Sequence, residues 1–164
     1  MRRLVIIFIS SFFLITTGFV FWQFFIKTKT VLFFCVHNTF RSQMAEAYFN
    51  KFAKEKGIRW QAKSAGFLKA DKINEKAVIL MREEGIDISD KKPKLMTEEM
   101  IKKADKIVVV CQECEAQGLC LILPQEKDIE YWRFSNPAEM ELEKAREIRN
   151  QIKEKVLNLI LKLK

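Results

Sequence analysis

Cys35 and Arg41 are the residues of this chain whose types and spacing could do chemistry together. The run Val31-Leu32-Phe33-Phe34-Cys35 is apolar and β-rich and stops at the thiol. Arg41-Ser42 then open a stretch of strong helix formers, Gln43-Met44-Ala45-Glu46-Ala47. A strand end feeding a helix N-terminus can aim several backbone N–H groups at one anion. At the base of that cradle Cys35 reads as a nucleophile. Its thiolate would be stabilised by the helix N-terminus, the Arg41 charge and a hydrogen bond from Ser42. Arg41 offers a planar fork that matches two oxygens of a tetrahedral oxyanion. Val36, His37, Asn38, Thr39, Phe40, Arg41 and Ser42 are therefore expected to bind that oxyanion, through backbone and side chain together. A Cys and an Arg at this spacing are common by chance; the strand–loop–helix context makes them a site.

Three further thiols, Cys111, Cys114 and Cys120, follow the clearest buried strand, Lys106-Ile107-Val108-Val109-Val110-Cys111. As a metal site, Cys-x2-Cys-x5-Cys lacks an evident fourth ligand, so no metal is expected. His37 is the sole histidine and lies within the loop. A residue two positions beyond the nucleophile faces outward, so a place on the loop surface is favoured over a base for Cys35.

The elements that must position these groups alternate. After the first strand, about 30–35, residues 41–56 carry apolar positions at helical spacing and end at Gly57. A second strand spans 58–65, with Ser64-Ala65-Gly66 as a turn near the site. That turn reads equally well as a simple strand end or as an oxyanion-side contact. A helix follows at 74–84 with Asn74 as N-cap, and a short one starts after Thr97. Residues 106–111 give strand three, 112–126 a loop and 129–132 strand four. A long closing helix runs from Pro137 to Leu163 with Pro137 in its first turn. Alternating strands and helices imply an α/β fold with a four-stranded parallel sheet and right-handed crossovers.

Composition splits the chain at its start. Leu4 to Ile26 is 23 residues without a charge, about 35 Å as a helix against a hydrocarbon core of roughly 30 Å. Arg2 and Arg3 precede it, Lys27 and Lys29 follow, and Trp22 suits an interface. The run is too long for a signal peptide's apolar core and ends without a small-x-small site. We therefore expect residues 1–29 to be an N-terminal transmembrane anchor with a short linker, and residues 30–164 the folded domain. A mis-assigned start and a cleaved signal are the weaker readings. A free thiolate chemistry favours a reducing compartment, which places the domain on the cytoplasmic face of a single-pass anchor. The net charge of +8 comes partly from those flanking cations, and basic residues do not interleave with aromatics, so no nucleic-acid partner is expected.

Cys-x5-Arg-Ser followed by Gln-Met-Ala-Glu-Ala, then Ser64-Ala65-Gly66, Met81-Arg82-Glu83-Glu84-Gly85-Ile86-Asp87-Ile88-Ser89 and Trp132…Pro137-Ala138 resemble the low-molecular-weight protein tyrosine phosphatase superfamily. Within it they resemble the thioredoxin-coupled arsenate reductases. The resemblance covers residues 30–164 and implies the phosphotyrosine phosphatase I-like fold, with Asn38 bracing the loop. It also implies a thiol relay. The nucleophile Cys35 forms an adduct with arsenate, a second cysteine attacks it to release arsenite, and a third closes the disulfide that thioredoxin reduces. By position Cys111 matches the second and Cys120 the third. The gap between them is longer than in relatives and Cys114 is extra, so Cys111 and Cys114 both stand open as the relay thiol. Catalysis is thus assigned to Cys35, Arg41, Cys111 and Cys120, with no cofactor beyond thioredoxin as external reductant.

The alternative implied by the same resemblance is a protein tyrosine phosphatase working through a phosphocysteine. That family takes its leaving-group proton from an Asp immediately before the proline of the C-terminal segment. Here Asn136 stands in that place, and an amide is no general acid, a role typically worth about 10²–10⁴ in rate. Asp128, Glu130 and Glu139 are the nearby carboxylates that could substitute. A third reading follows from the same asparagine: a non-catalytic module that binds oxyanions or phosphotyrosine.

Overall fold

A continuous apolar run belongs at the centre of a sheet covered on both faces. In the computed structural model, which describes residues 27–164, strand β1 (Lys29–Cys35) is buried from Val31 onward. It pairs in parallel with β2 (Trp60–Gly66) on one side and with β3 (Lys106–Val109) on the other. Strand β4 (Ile129–Tyr131) pairs in parallel with β3, which gives the order β2-β1-β3-β4. The chain leaves β1 toward one edge and returns to its other side, so the strand order reverses at β1. Open α/β sheets bind ligands at the carboxyl ends of strands beside such a reversal, and Cys35 is the last residue of β1.

Helix α1 (Arg41–Lys56) follows the loop and stops at Gly57, whose φ of 63° suits a residue without a Cβ. Helix α2 (Glu75–Arg82) is capped by Asn74, which accepts the Lys76 N–H, and α3 (Glu98–Lys103) by Thr97, which accepts the Met100 N–H. Helix α4 (Gln112–Ala116) follows β3, and α5 (Leu142–Lys162) closes the chain against α1. Phe33 meets the ring of Phe49 at 5.9 Å on the α1 side and that of Trp132 at 5.7 Å. Arg149 of α5 is buried, and its guanidinium donates to the Leu80 carbonyl at 3.0 Å and to Glu83 at 2.6 Å. This ties α5 to α2.

The sheet and helix order agree with the sequence reading, and three expectations need correction. The closing helix begins at Leu142 rather than Pro137, because residues 137–140 form a turn closed by Met140 N–H to Pro137 O. The Lys76 ammonium donates to the Ala138 and Met140 carbonyls and holds that turn open. The loop expected over 112–126 contains α4 and a 3-10 turn at Leu119–Ile122, both too short to show a period in sequence. Lastly, the fold class included a transmembrane helix. Among the described residues no helix is long and apolar enough to cross a membrane, and residues 4–26 lie outside them. The described residues form a four-stranded α/β body. The expected single-pass anchor, its cytoplasmic orientation and the membrane as partner have no support in it.

One buried carboxylate joins three parts of this body. Glu46 of α1 accepts from Ser64 Oγ of β2 at 2.5 Å, and from Lys91 and Lys94 of the long loop after α2 at 2.6 and 3.2 Å. Burial pushes its pKa up. Hydrogen bonds from Lys91 and Ser64 and the two lysine charges outweigh that, and hold the carboxyl below its ordinary value. A carboxyl lowered on folding adds stability above its unfolded pKa, about 4.3, and loses it as pH falls through the lower folded value. Urea unfolding is therefore expected to show Glu46→Gln destabilised by about 1–3 kcal/mol at pH 7. Its loss of stability below about pH 4.3 should be shallower than that of the parent protein; equal acid slopes would sink this account.

Candidate active site

Cys35 ends β1, and the next residues turn around its sulfur. Its Sγ lies 3.0 Å from Ser42 Oγ, at the start of α1, and accepts the Asn38 backbone N–H at 3.2 Å. Asn38 itself has a φ of 55°, a left-handed conformation that asparagine tolerates better than most residues. Its side chain is fully buried and fully used. Nδ2 donates to Ser42 Oγ and to Ser64 Oγ, each at 2.8 Å, while Oδ1 accepts from Gln43 Nε2 at 2.9 Å and from the Lys94 N–H at 2.8 Å.

These partners settle where the hydroxyl protons point. Ser64 accepts from Asn38 and so gives its own proton to the Glu46 carboxylate. Ser42 likewise accepts from Asn38, which leaves its single proton for the Cys35 sulfur. The sulfur therefore sits between two donors, Ser42 O–H and Asn38 N–H. The hydrogen bond from Ser42 expected from sequence is present. The bracing by Asn38 is present too, and it runs through the side chain to Ser64, in the turn that reads in sequence equally well as a strand end or as an oxyanion-side contact.

Gly66 is the other hidden member. Its N–H and C=O pair with Lys94 O and Met96 N on the neighbouring segment. A Cβ built on it would lie 2.7 Å from His37 C, 2.8 Å from Asn38 N and 3.0 Å from Val36 O. Those are backbone atoms of the cradle, so no flexible side chain could yield to it. The remaining loop residues fall as their types suggest. Val36 and Phe40 are buried, Thr39 is half-buried, and His37 is exposed on the loop surface.

Arg41 is buried, and its fork is already occupied. Nη1 donates to Glu113 Oε2 at 2.8 Å and to the Phe134 carbonyl at 2.8 Å, while Nη2 donates to Glu113 Oε1. Burial pushes the Glu113 carboxyl up, but the Arg41 hydrogen bonds and charge dominate and hold it below its ordinary value, so it is ionised at neutral pH. A carboxylate stands here in the bidentate position that the fork could offer to an oxyanion. Arg41 Nε is buried without a partner among the described residues. Glu113 went unnoticed in sequence, although a carboxylate two residues past Cys111 is a natural mate for a buried guanidinium.

The other thiols divide. Cys111 follows β3 on the strand next to Cys35, its Sγ 4.0 Å from the Phe34 carbonyl, and it is disulfide-bonded to Cys114. Cys120 lies in the 3-10 turn, half-buried and free; burial and then the Glu115 charge push its thiol up. Asn136 is exposed, and its Oδ1 accepts the Ala138 N–H at 3.3 Å, a turn-forming contact. The proposed substitutes for the acid do not converge on Cys35. Asp128 pairs with Lys106 just before β4, at the sheet end opposite Cys35, and Glu130 binds the Trp132 indole at 2.7 Å. Glu139 is exposed. Among the described residues no group of three or more His, Cys, Asp or Glu could hold a metal ion.

Comparison with known proteins agrees with this geometry. Residues 30–164 match the family model for low molecular weight phosphotyrosine protein phosphatase. The chain is 36% identical over 125 residues to arsenate reductase 2 of Staphylococcus haemolyticus, covering 76% of this chain and 91% of that protein. Its fold is similar to a low molecular weight protein tyrosine phosphatase from T. tengcongensis, with a TM-score of 0.74, 32% identity and coverage of 82% and 99%. It is also similar to a thioredoxin-dependent arsenate reductase from Corynebacterium glutamicum, with a TM-score of 0.66, 28% identity and coverage of 84% of this chain and 62% of that one.

Two substitutions test the site. Gly66→Ala should leave a cooperatively folding protein, because only the loop must shift, at a cost of about 1–3 kcal/mol. Inorganic phosphate should then protect Cys35 from alkylation at least about tenfold less well; unchanged protection would contradict the contact. Glu113→Gln removes the charge that competes for Arg41. The apparent affinity for phosphate should rise by about tenfold, in keeping with about 1.5–3 kcal/mol for a charge-assisted hydrogen bond. A weaker affinity would show instead that Glu113 supports the bound oxyanion.

Proposed function

We propose that this chain, which belongs to the low molecular weight phosphotyrosine protein phosphatase family, is a thiolate-based arsenate reductase with thioredoxin as its reductant. The observation that carries the reading is a disulfide that follows the strand next to β1. Cys111, two residues past the end of β3, the strand that pairs with β1, is joined to Cys114. Hydrolysis of a phosphate ester has no use for such a pair, and reduction of an oxyanion requires one.

The steps follow from the residues present. Arsenate enters the cradle formed by Val36 to Ser42, and Arg41 exchanges the Glu113 carboxylate for two of its oxygens. The Cys35 thiolate, held by Ser42 and Asn38, attacks arsenic, and an oxygen leaves as water. Cys111 thiolate then attacks the Cys35 sulfur. A sulfur–sulfur bond forms as the sulfur–arsenic bond breaks, and arsenic keeps the electron pair, so arsenic(V) departs as arsenite. A third thiol then takes over Cys111 and frees Cys35. The resulting disulfide is reduced from outside by thioredoxin.

A phosphatase is the second reading, favoured by the cradle itself, which suits phosphate as well as arsenate. Its weakness is Asn136, exposed and engaged in a turn where the family's acid belongs. A module that only binds oxyanions is the third.

One set of assays on the full chain separates them. With arsenate and a thioredoxin system, arsenite should form catalytically. Cys35→Ser and Cys111→Ser should each reduce the rate by at least about a hundredfold, as expected for groups that form covalent intermediates. Hydrolysis of an aryl phosphate, if present, should need Cys35 and Arg41 and ignore Cys111. Aryl phosphate turnover with no arsenite would establish the phosphatase, and phosphate binding with neither reaction would leave the binding module.

A further inference from the structure

We infer that Cys114, rather than Cys120, is the thiol that ends the relay, so that the oxidised product of one turnover is a Cys111–Cys114 disulfide. This rests on the arsenate-reductase reading and names a catalytic residue within it. The two cysteines are bonded, with Cα atoms 5.5 Å apart, and stand three positions apart in sequence. That separation is within the range of ordinary disulfides. Cys111 occupies the N-cap of α4 and Cys114 lies in its first turn. Residues three apart at a helix start share one face, so closing the Cys111–Cys114 bond needs no rearrangement of α4. Both are almost wholly buried, Cys111 at 1% and Cys114 at 0% exposure.

Cys120 is placed poorly for the same task. It sits beyond a turn at Gly118, whose φ is 68°, inside a 3-10 turn closed by Leu121 N–H to Gly118 O and Leu123 N–H to Cys120 O. Those hydrogen bonds would have to open before its sulfur could approach Cys111. Its thiol is also pushed up by burial and by Glu115, which lowers the thiolate fraction that can attack a disulfide.

The exchange balances without any further reactant. After arsenite leaves, Cys35 and Cys111 are joined. The Cys114 thiol loses its proton to solvent, and its thiolate attacks the Cys111 sulfur. The Cys111–Cys114 bond forms as the Cys35–Cys111 bond breaks, and the electron pair returns Cys35 to its thiolate. Arsenic has gained two electrons, and two thiols have become one disulfide. Thioredoxin, the reductant of the reading above, must then reach a buried bond, and opening the five-residue helix α4 gives it that route.

The test uses the full chain, fully reduced, with arsenate. In a single turnover without reductant, the parent protein should release arsenite and yield Cys111–Cys114 when its disulfides are mapped by mass spectrometry. Cys114→Ser should release a comparable burst of arsenite, accumulate Cys35–Cys111, and lose steady-state turnover with thioredoxin by about a hundredfold. The burst also shows that the variant is folded. Cys120→Ser should still close Cys111–Cys114 in a single turnover. Mapping of Cys111–Cys120 in the parent protein, or full turnover by Cys114→Ser, overturns the inference. Where both variants lose turnover, the disulfide mapped in the parent decides. Absence of arsenite from the parent protein is a different failure, that of the arsenate-reductase reading, and the inference falls with it.

Discussion

The site depends on one side chain, the amide of Asn38. A non-glycine residue held at positive φ costs of order 1–3 kcal/mol when its surroundings do not compensate. Here the compensation is four hydrogen bonds made by a fully buried amide, reaching α1, β2 and the loop at Lys94 at once. The same residue presents its own N–H to the Cys35 sulfur. Loop shape, hydroxyl orientation and stabilisation of the thiolate are thus one construction. It ends at Glu46, whose charge fixes the direction of the Ser64 proton and, through Asn38, leaves the Ser42 proton for Cys35. Gly66 belongs to it by omission, since any Cβ would push the cradle off the sulfur.

The second organising fact is a buried guanidinium. Removing the partner of a buried charge is strongly destabilising, so a buried Arg needs an anion at all times. When no oxyanion is bound, the Glu113 carboxylate meets that need. Glu113 lies between Cys111 and Cys114 in sequence, on the helix that carries the disulfide. The partner of Arg41 and the disulfide therefore share a short, five-residue element. Whatever moves α4 acts on both.

Much of this was legible in the residues. The buried run before Cys35, the helix formers after Arg41 and the caps at Asn74 and Thr97 each carry a local signal, and local signals survive into the fold. The Cys35–Ser42 contact was legible too, because both ends lie within one strand–loop–helix unit. What could not be read depends on partners far apart in sequence. Ser64 with Glu46, Arg41 with Glu113, and Gly66 against the loop backbone are separated by 18, 72 and about 28 residues. No period or motif announces such pairings. The start of α5 was misplaced for the same reason. Pro137 is well suited to a helix start, but Lys76, distant in sequence, holds the next carbonyls in a turn. The apolar stretch near the N-terminus was read by length and hydropathy alone, with nothing in the folded body to support it.

The asparagine at position 136 weighs differently on the two reactions this fold can host. In a phosphomonoester the departing oxygen carries no proton of its own, and without a neighbouring acid it must leave as an alkoxide or phenoxide. Arsenate near neutral pH still holds ionisable protons on its oxygens, so the substrate can protonate its own leaving group during attack by sulfur. In the next step an arsenic–sulfur bond is broken by a thiolate, and no oxygen leaves at all. An amide where an acid belongs therefore costs the hydrolase a general acid, an effect of about 10²–10⁴ in rate, and costs the reductase much less. The amide at position 136 and the Cys111–Cys114 disulfide are separate features of the chain, and both weigh against hydrolysis more than against reduction.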